Sequence, residues 1–381
     1  MSDTHILQDA LNHIPVHIQS VPDYERVARS FVRDDIWHYI EHGAEQNISL
    51  QANRLAFDDL FFVPRMLRDV KHGHTKTDVF GKTWTSPIML APVAYHALVH
   101  PEAELATIKA AVALQVPMVV STLASVYFEQ ISAMAKVTAA ELKRPVPPIW
   151  LQLYSQATMA ETLAVVDAAV DAGFEAIVWT VDAHYKRSGL HLPEGVSAVN
   201  IGEQAQYKHT THLLDETLVF GSWFTDHAPT WADLKTLREH TSLPILVKGL
   251  LSVEDAIEAK AMGADGVVVS NHGGRVLDGS VPALKVLASM RAALGEDFAI
   301  LLDGGVRSGA DVVKALALGA NAVMVGRPQL HALAVAGTLG VAHMLHLLRM
   351  ELELCMAQLG CATVKQLDAA IFAKTNPLQS D

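Results

Sequence analysis

The sequence predicts an α/β chain folded as a (β/α)8 barrel of the TIM type, extended by helices at its N-terminus and by a long loop after strand 4. Three observations carry this. Eight short, apolar, β-branched-rich runs recur along the 381 residues, alanine-rich stretches with apolar residues every three or four positions lie between most of them, and each run ends in residues able to do chemistry. A doubly wound open sheet is the structural rival, but it needs no eighth unit and usually opens on a glycine-rich first turn. Here the first run ends in Ala91-Pro92-Val93-Ala94, without that turn.

The strands are expected at 87–91 (β1), 117–121 (β2), 149–153 (β3), 176–181 (β4), 245–248 (β5), 266–270 (β6), 299–303 (β7) and 322–326 (β8). Helical periodicity is clearest at 103–114, 159–172, 253–262 and 309–318. The chain exceeds the roughly 250 residues typical of such a barrel. It reads as one domain with the barrel at 81–355 and the excess at both ends and in one insertion. Residues 1–80 form a helical cap, in which Asp34 or Asp35 is the expected N-cap and Gly43 the stop of a helix through IWHYIEHG. Residues 183–229 are a long polar insertion after β4, whose position on the catalytic face predicts a lid. Residues 356–381 are a C-terminal tail.

A net charge of −12 argues against a nucleic-acid partner, which would want a basic stripe. Small anionic substrates stay open, because local guanidinium groups outweigh distant charge. No stretch reaches the roughly 18 uncharged apolar residues of a spanning helix, and no basic-then-apolar signal pattern opens the chain. The expected location is therefore the cytoplasm. Cys355 and Cys361, the only cysteines, read as reduced core thiols. His72, His74, His209 and His212 lack partnering cysteines or carboxylates in a motif, so no metal site is expected.

The most informative segment is VVVSNHGGRVL at 267–277, an apolar strand that runs into a polar, glycine-loosened turn. His272 and Arg275, three residues apart, can address a hydroxyl and its neighbouring carboxylate at once. Asp182, ending β4, is the expected partner of His272, since a carboxylate favours and stabilises the imidazolium. Asp303-Gly304-Gly305 with Arg307, and Gly326 with Arg327, follow β7 and β8, where barrels commonly bind a phosphate through backbone N–H groups and a helix N-terminus. Lys248 ends β5 after an apolar run, where a charge needs a partner.

These residues carry a resemblance. SNHGGRVLDG at 270–279, LDGGVRSGADVVKALALGA at 302–320 and GRP at 326–328 are its most specific pieces, with YIEHGAEQNISLQANRLAFD, APVA, QLY and TVD as weaker ones. From about Asp23 to Leu367 the chain resembles the FMN-dependent α-hydroxy acid oxidising family, the group of glycolate oxidase, lactate oxidase and mandelate dehydrogenase. The resemblance implies bound FMN and oxidation of an L-2-hydroxy acid to the 2-keto acid, with oxygen or a quinone as acceptor and a homo-oligomer, by resemblance a tetramer, as the working form. It places Pro92, Val93 and Ala94 near the flavin, Ser121, Gln152, Thr180 and Ser270 on the ring or ribityl chain, and Asp303 on ribityl hydroxyls. Lys248 would lie beside the N1–O2 edge, where its charge makes the flavin a better electron acceptor. His272 would take the substrate proton, Arg275 would hold the carboxylate in bidentate fashion, and Tyr39 and Tyr154 would donate to carboxylate and hydroxyl oxygens.

Three departures bear on substrate choice. The second carboxylate-binding arginine usual after β4 is Gly189, with Arg187 near enough to substitute. The usual Pro-Thr-Ala after β1 reads Pro92-Val93-Ala94, and the usual aromatic after Ser-Thr in β2 is Leu123. Together they predict a bulkier substrate than glycolate or lactate. The rival readings are another FMN barrel, such as a type 2 isopentenyl diphosphate isomerase that shares the phosphate loops without the His272–Arg275 pairing, and a non-catalytic flavin-binding paralogue.

Overall fold

The computed structural model describes residues 5–184, 190–202 and 227–373. Eight parallel strands close into a barrel in chain order, with β8 beside β1. They are β1 Ile88–Leu90, β2 Met118–Ser121, β3 Ile149–Leu153, β4 Ile177–Thr180, β5 Ile245–Leu250, β6 Gly266–Val269, β7 Ala299–Leu302 and β8 Ala322–Val325. Each predicted run forms its strand because parallel strands are covered on both faces and so read as unbroken apolar stretches. Met89, Val119, Trp150, Val178, Leu246, Val268, Leu301 and Met324 make one inner cluster. Their neighbours in the strands, such as Ile88, Leu90, Ile177 and Trp179, join the outer cluster against the helices.

The outer layer comprises α4 Ala103–Leu114, α5 Phe128–Leu142, α6 Met159–Asp171, α7 Trp231–His240, α8 Val253–Ala261, α9 Ala283–Leu294, α10 Gly309–Ala317 and α11 Arg327–Gln358. Among the described residues only α11 is long and apolar enough to cross a membrane, but most of that apolar stretch is buried inside the fold. Its path is interrupted at Ala336 and Gly337.

The N-terminal cap holds α1 Val21–Ala28, α2 Asp34–Glu41 and α3 Ile48–Asp58. Two expectations about α2 are corrected. Its N-cap is Arg33, with Asp34 and Asp35 inside the first turn, where their charge opposes the helix dipole's positive end. Its C-cap is His42, and Gly43 serves a close approach: a Cβ there would stand 2.6 Å from the carbonyl oxygen of Gly274. The cap ends in a hairpin, Thr77–Val79 paired with Lys82–Trp84, absent from the sequence reading. Val79 and Trp84 join the inner cluster, with Trp84 edge-on to Trp150 at 5.5 Å, so the hairpin closes the N-terminal end of the barrel. The opposite end is left to the strand-end loops.

Candidate active site

The loop after β6 is built on a left-handed backbone run: His272 at φ 56°, Gly273 at 65° and Gly274 at 77°. A histidine in this region is uncommon and must be held there by its surroundings. Asn271 provides the hold. Its Oδ1 accepts from the Gly274 N–H at 3.0 Å, and its amide exchanges hydrogen bonds with Asn53 of α3, 2.8 Å in one direction and 2.9 Å in the other. The N-terminal cap is thereby tied to the reactive loop.

His272 Nδ1 lies 3.0 Å from Asp182 Oδ1. Burial pushes the Asp182 carboxyl up, but the opposing pull of His272, and then of Lys248, holds it below the ordinary value. An ionised carboxylate only accepts, so Nδ1 is the donor and Nε2 carries the lone pair that a general base needs. Gly249 makes this pairing possible. The β5–β6 register shifts between Lys248 and Leu250, and at Gly249, φ 109°, a Cβ would meet the Asp182 Cγ at 2.5 Å. The bulge also explains why β5 runs two residues past its predicted end, Lys248.

Lys248 is buried, with Nζ 2.9 Å from Asp303 Oδ2 and 3.0 Å from Ser270 Oγ. Burial pulls its pKa down, but Asp303 and Asp182 more than offset this and keep it cationic. Around it, three buried polar atoms lack hydrogen-bond partners: Gln152 Nε2, Thr180 Oγ1 and Asp303 Oδ1. Buried polar atoms are rarely left unsatisfied, and all three belong to residues that line one cavity. Ser121, also on that wall, donates to Gln152 Oε1 at 3.0 Å. The rim is completed by Pro92, Val93, Ala94, Gly304, Gly305, Arg307, Gly326 and Arg327.

At the β7–β8 side the Arg327 pKa falls to about 9, first through lost solvation and then through repulsion by Arg275, against the pull of Glu41, with Arg307 adding to the repulsion. An anion is what such crowding of guanidinium groups calls for. Phosphate at Arg307 and Arg327, ribityl hydroxyls at Asp303 and a flavin edge at Lys248, Gln152 and Thr180 satisfy the donors and acceptors present, so the residues fit FMN. The protein is expected to be yellow as isolated, and a colourless protein that takes up no added FMN would contradict this fit.

Arg275 is engaged differently from the expectation. Its Nη1 donates to the carbonyls of Ile40 (2.8 Å) and His42 (3.0 Å), and its Nη2 to that of Tyr39 (2.6 Å), at the C-terminus of α2. Its guanidinium carbon stands 5.1 Å from the Tyr39 ring centroid. Three of five N–H donors thus fix α2 and Tyr39 in place, and two are left for a substrate carboxylate. Tyr39 and Tyr154 line the same cavity, and burial raises both phenol pKa values, so both remain donors at neutral pH. Asp182 and Ser270 stand behind His272 and Lys248 rather than on the rim. Arg187 and Gly189 lie outside the described residues, as does most of the insertion at 183–229 for which a lid was expected, although Ala183, His184, Leu190 and Pro229 line the cavity.

The sequence reading missed Asn53, Gly249, Tyr95 and Glu104. Asn53 and Gly249 act through partners distant in the chain and leave no local pattern. Tyr95 sits only three residues past Pro92, within the β1 loop already singled out, and that position was its signal. Glu104, buried in α4, accepts on Oε1 from the Ser125 N–H (3.0 Å) and the His96 N–H (3.2 Å), joining the loops after β2 and β1.

Burial raises the Glu104 carboxyl to about 7, against the pull of those N–H groups. Because the folded value lies above the unfolded one, its stabilisation is complete below about pH 4.5 and is lost as pH rises through about 7, a swing of about 3 kcal/mol. Glu104→Gln keeps the accepting oxygen and cannot ionise. Its Tm should therefore fall less than that of the unmodified protein between pH 5 and 9, and parallel curves would contradict the buried-acid reading.

Comparison with known proteins agrees with this geometry. The family model for FMN-dependent dehydrogenase matches residues 28–374. This chain belongs to the FMN-dependent dehydrogenase family. It is 42% identical to an L-lactate oxidase of Alicycliphilus denitrificans over 93% of this chain and 96% of that one. It is 43% identical to a 4-hydroxymandelate oxidase of Amycolatopsis orientalis over 91% and 95%. A crystal structure of mandelate oxidase with (S)-2-phenylpropionate superposes with a TM-score of 0.80 at 41% identity, covering 91% of this chain and 96% of that one. The protein is an FMN-dependent oxidoreductase of the class that converts 2-hydroxy acids to 2-keto acids, which sets aside the isomerase and the non-catalytic paralogue.

Proposed function

We propose that the substrate is an L-2-hydroxy acid larger than glycolate, oxidised at a centre where His272 is the base, and that oxygen takes the electrons. The observation that carries it is the His272–Asp182 pair, 3.0 Å apart, at a cavity shared with Lys248, Arg275, Tyr39 and Tyr154. When bound, FMN supplies the acceptor for the electron pair leaving C2 of the substrate. Arg275 offers its two remaining N–H donors to the carboxylate, with Tyr39 and Tyr154 donating beside it. His272 Nε2 receives the proton released by oxidation, and Asp182 stabilises the imidazolium as it forms. Lys248, held cationic by Asp303, provides positive charge at the depth where the cofactor ring belongs.

Substrate size is supported by Leu123, which lines the cavity at the position where the family resemblance leads one to expect a ring, and by the aromatic hydroxy acid in the name of one relative. Branched or aromatic 2-hydroxy acids should show higher kcat/KM than glycolate, each buried methylene adding up to about 0.8 kcal/mol. Leu123→Trp should reverse the order. Glycolate emerging as the best of a graded series in an oxygen-consumption assay would contradict the reading.

The names of the two relatives given above, both oxidases, support oxygen over a quinone as acceptor. We further propose a single functional domain working in the cytoplasm as a homo-oligomer. Exposed Ile48, Leu55 and Leu277, beside the reactive loop and α3, support the oligomer, which light scattering would test.

A further inference from the structure

Tyr95 lines the same cavity as His272, Arg275, Tyr39 and Tyr154. It is 3% exposed, its backbone sits at φ 56°, and its hydroxyl has no hydrogen-bond partner. A buried phenol left unpaired in a ligand cavity is a group waiting for a ligand atom. A tyrosine held in the left-handed region has also been put there by its surroundings. Two such contacts are visible. The Tyr95 N–H donates to the Leu123 carbonyl at 3.0 Å, and the next residue, His96, donates its N–H to Glu104, which also holds Ser125. The loops after β1 and β2 are therefore locked together with Tyr95 and Leu123 side by side.

In the closed ring, β1 and β2 stand opposite β5 and β6. The proton-accepting and carboxylate-binding groups, His272 and Arg275, come from the β6 side. A 2-hydroxy acid held there by its carboxylate and hydroxyl turns its remaining C2 substituent across the cavity, toward the wall made by Tyr95 and Leu123. The loop after β1 thus sets a ring carrying a hydroxyl beside Leu123.

We infer that Tyr95 determines which 2-hydroxy acids are accepted: its ring limits the space Leu123 opens, and its hydroxyl bonds a polar group on the C2 substituent, of the hydroxyaryl kind. The inference rests on the oxidation of a 2-hydroxy acid proposed above and adds the chemistry of the side chain.

The test uses the FMN-loaded protein and its Tyr95→Phe variant, which preserves the ring and so the packing. Two matched pairs are compared by anaerobic flavin reduction: mandelate with 4-hydroxymandelate, and 3-phenyllactate with 3-(4-hydroxyphenyl)lactate. Binding of benzoylformate and 4-hydroxybenzoylformate is measured by calorimetry as a readout independent of turnover. The unmodified protein should prefer the hydroxylated member of at least one pair. Tyr95→Phe should lower kcat/KM for that member about 10-fold, with its unsubstituted partner changed less than about 2-fold and the keto acid affinities following the same split. Tyr95→Leu, which removes both the ring and its hydroxyl, should abolish the preference for the hydroxylated member of each pair and raise kcat/KM for 3-phenyllactate relative to mandelate.

Equal losses for both members of a pair would mean that the hydroxyl serves the common carboxylate or the fold, and would overturn the inference. So would an unmodified protein indifferent to the ring hydroxyl, or a Tyr95→Phe variant identical to it. If no 2-hydroxy acid reduces the unmodified protein, the reading beneath the inference fails with it; if the acids reduce it and only the Tyr95 contrast is missing, the inference fails alone.

Discussion

Replacing His272 by alanine is expected to leave the protein yellow and to slow reduction of its flavin by about 10²- to 10⁴-fold, the usual cost of removing a positioned general base. FMN binding should survive because the groups that fit it, Lys248, Asp303, Arg307 and Arg327, are held by bonds that do not involve the imidazole. Lys248 is fixed by Asp303 at 2.9 Å, and Arg327 by the carbonyls of Ile40 at 2.9 Å and Gly273 at 3.2 Å. The Asp182 carboxylate would lose the partner that holds its pKa low, yet Lys248 still pulls it toward the ionised form. Rapid-mixing spectroscopy under anaerobic conditions reads the effect directly. A variant that is reduced as fast as the unmodified protein would show that another group accepts the proton.

Arg275→Lys carries the second large effect, for two reasons that the structure separates. An ammonium on a flexible stem cannot present two parallel N–H groups to a carboxylate, so substrate binding should weaken by roughly 1.5 to 3 kcal/mol. It also cannot reach three carbonyls at the end of α2, so Tyr39, which rides on that helix, loses its anchor. The expected outcome is a raised KM together with a lowered kcat. A raised KM at unchanged kcat would mean that α2 is held sufficiently by its other contacts, the Glu41–His331 pair at 2.7 Å and the packing of Trp37 on His331 at 5.5 Å. Kinetics unchanged in both terms would put the substrate carboxylate elsewhere.

The barrel could be read from the sequence because its signal is local. A strand covered on both faces must be apolar throughout, so runs such as IWLQL and GVVV announce themselves without knowledge of their neighbours. The reactive groups were legible for a related reason: they stand immediately after those runs, where a polar residue following an apolar one marks a strand end. What escaped was whatever depends on residues far apart in the chain. Gly249 looks like a flexible link until the Asp182 side chain is found against it. Asn53 is one polar residue in α3 until it meets Asn271 across 218 positions. Arg275 was expected to face the substrate with its whole fork, but the carbonyls that claim most of it belong to a helix more than 230 residues earlier. Leu123 is legible from its own strand end, but Tyr95, whose N–H bonds the Leu123 carbonyl, comes from another loop.

The most direct measurement of the central claim is anaerobic titration of the purified yellow protein with a branched or aromatic L-2-hydroxy acid, followed in the visible spectrum. The account predicts that the flavin absorbance bleaches, that one equivalent of the 2-keto acid appears per flavin, and that admitting oxygen restores the colour. A spectrum that stays oxidised through a graded series of 2-hydroxy acids would contradict it.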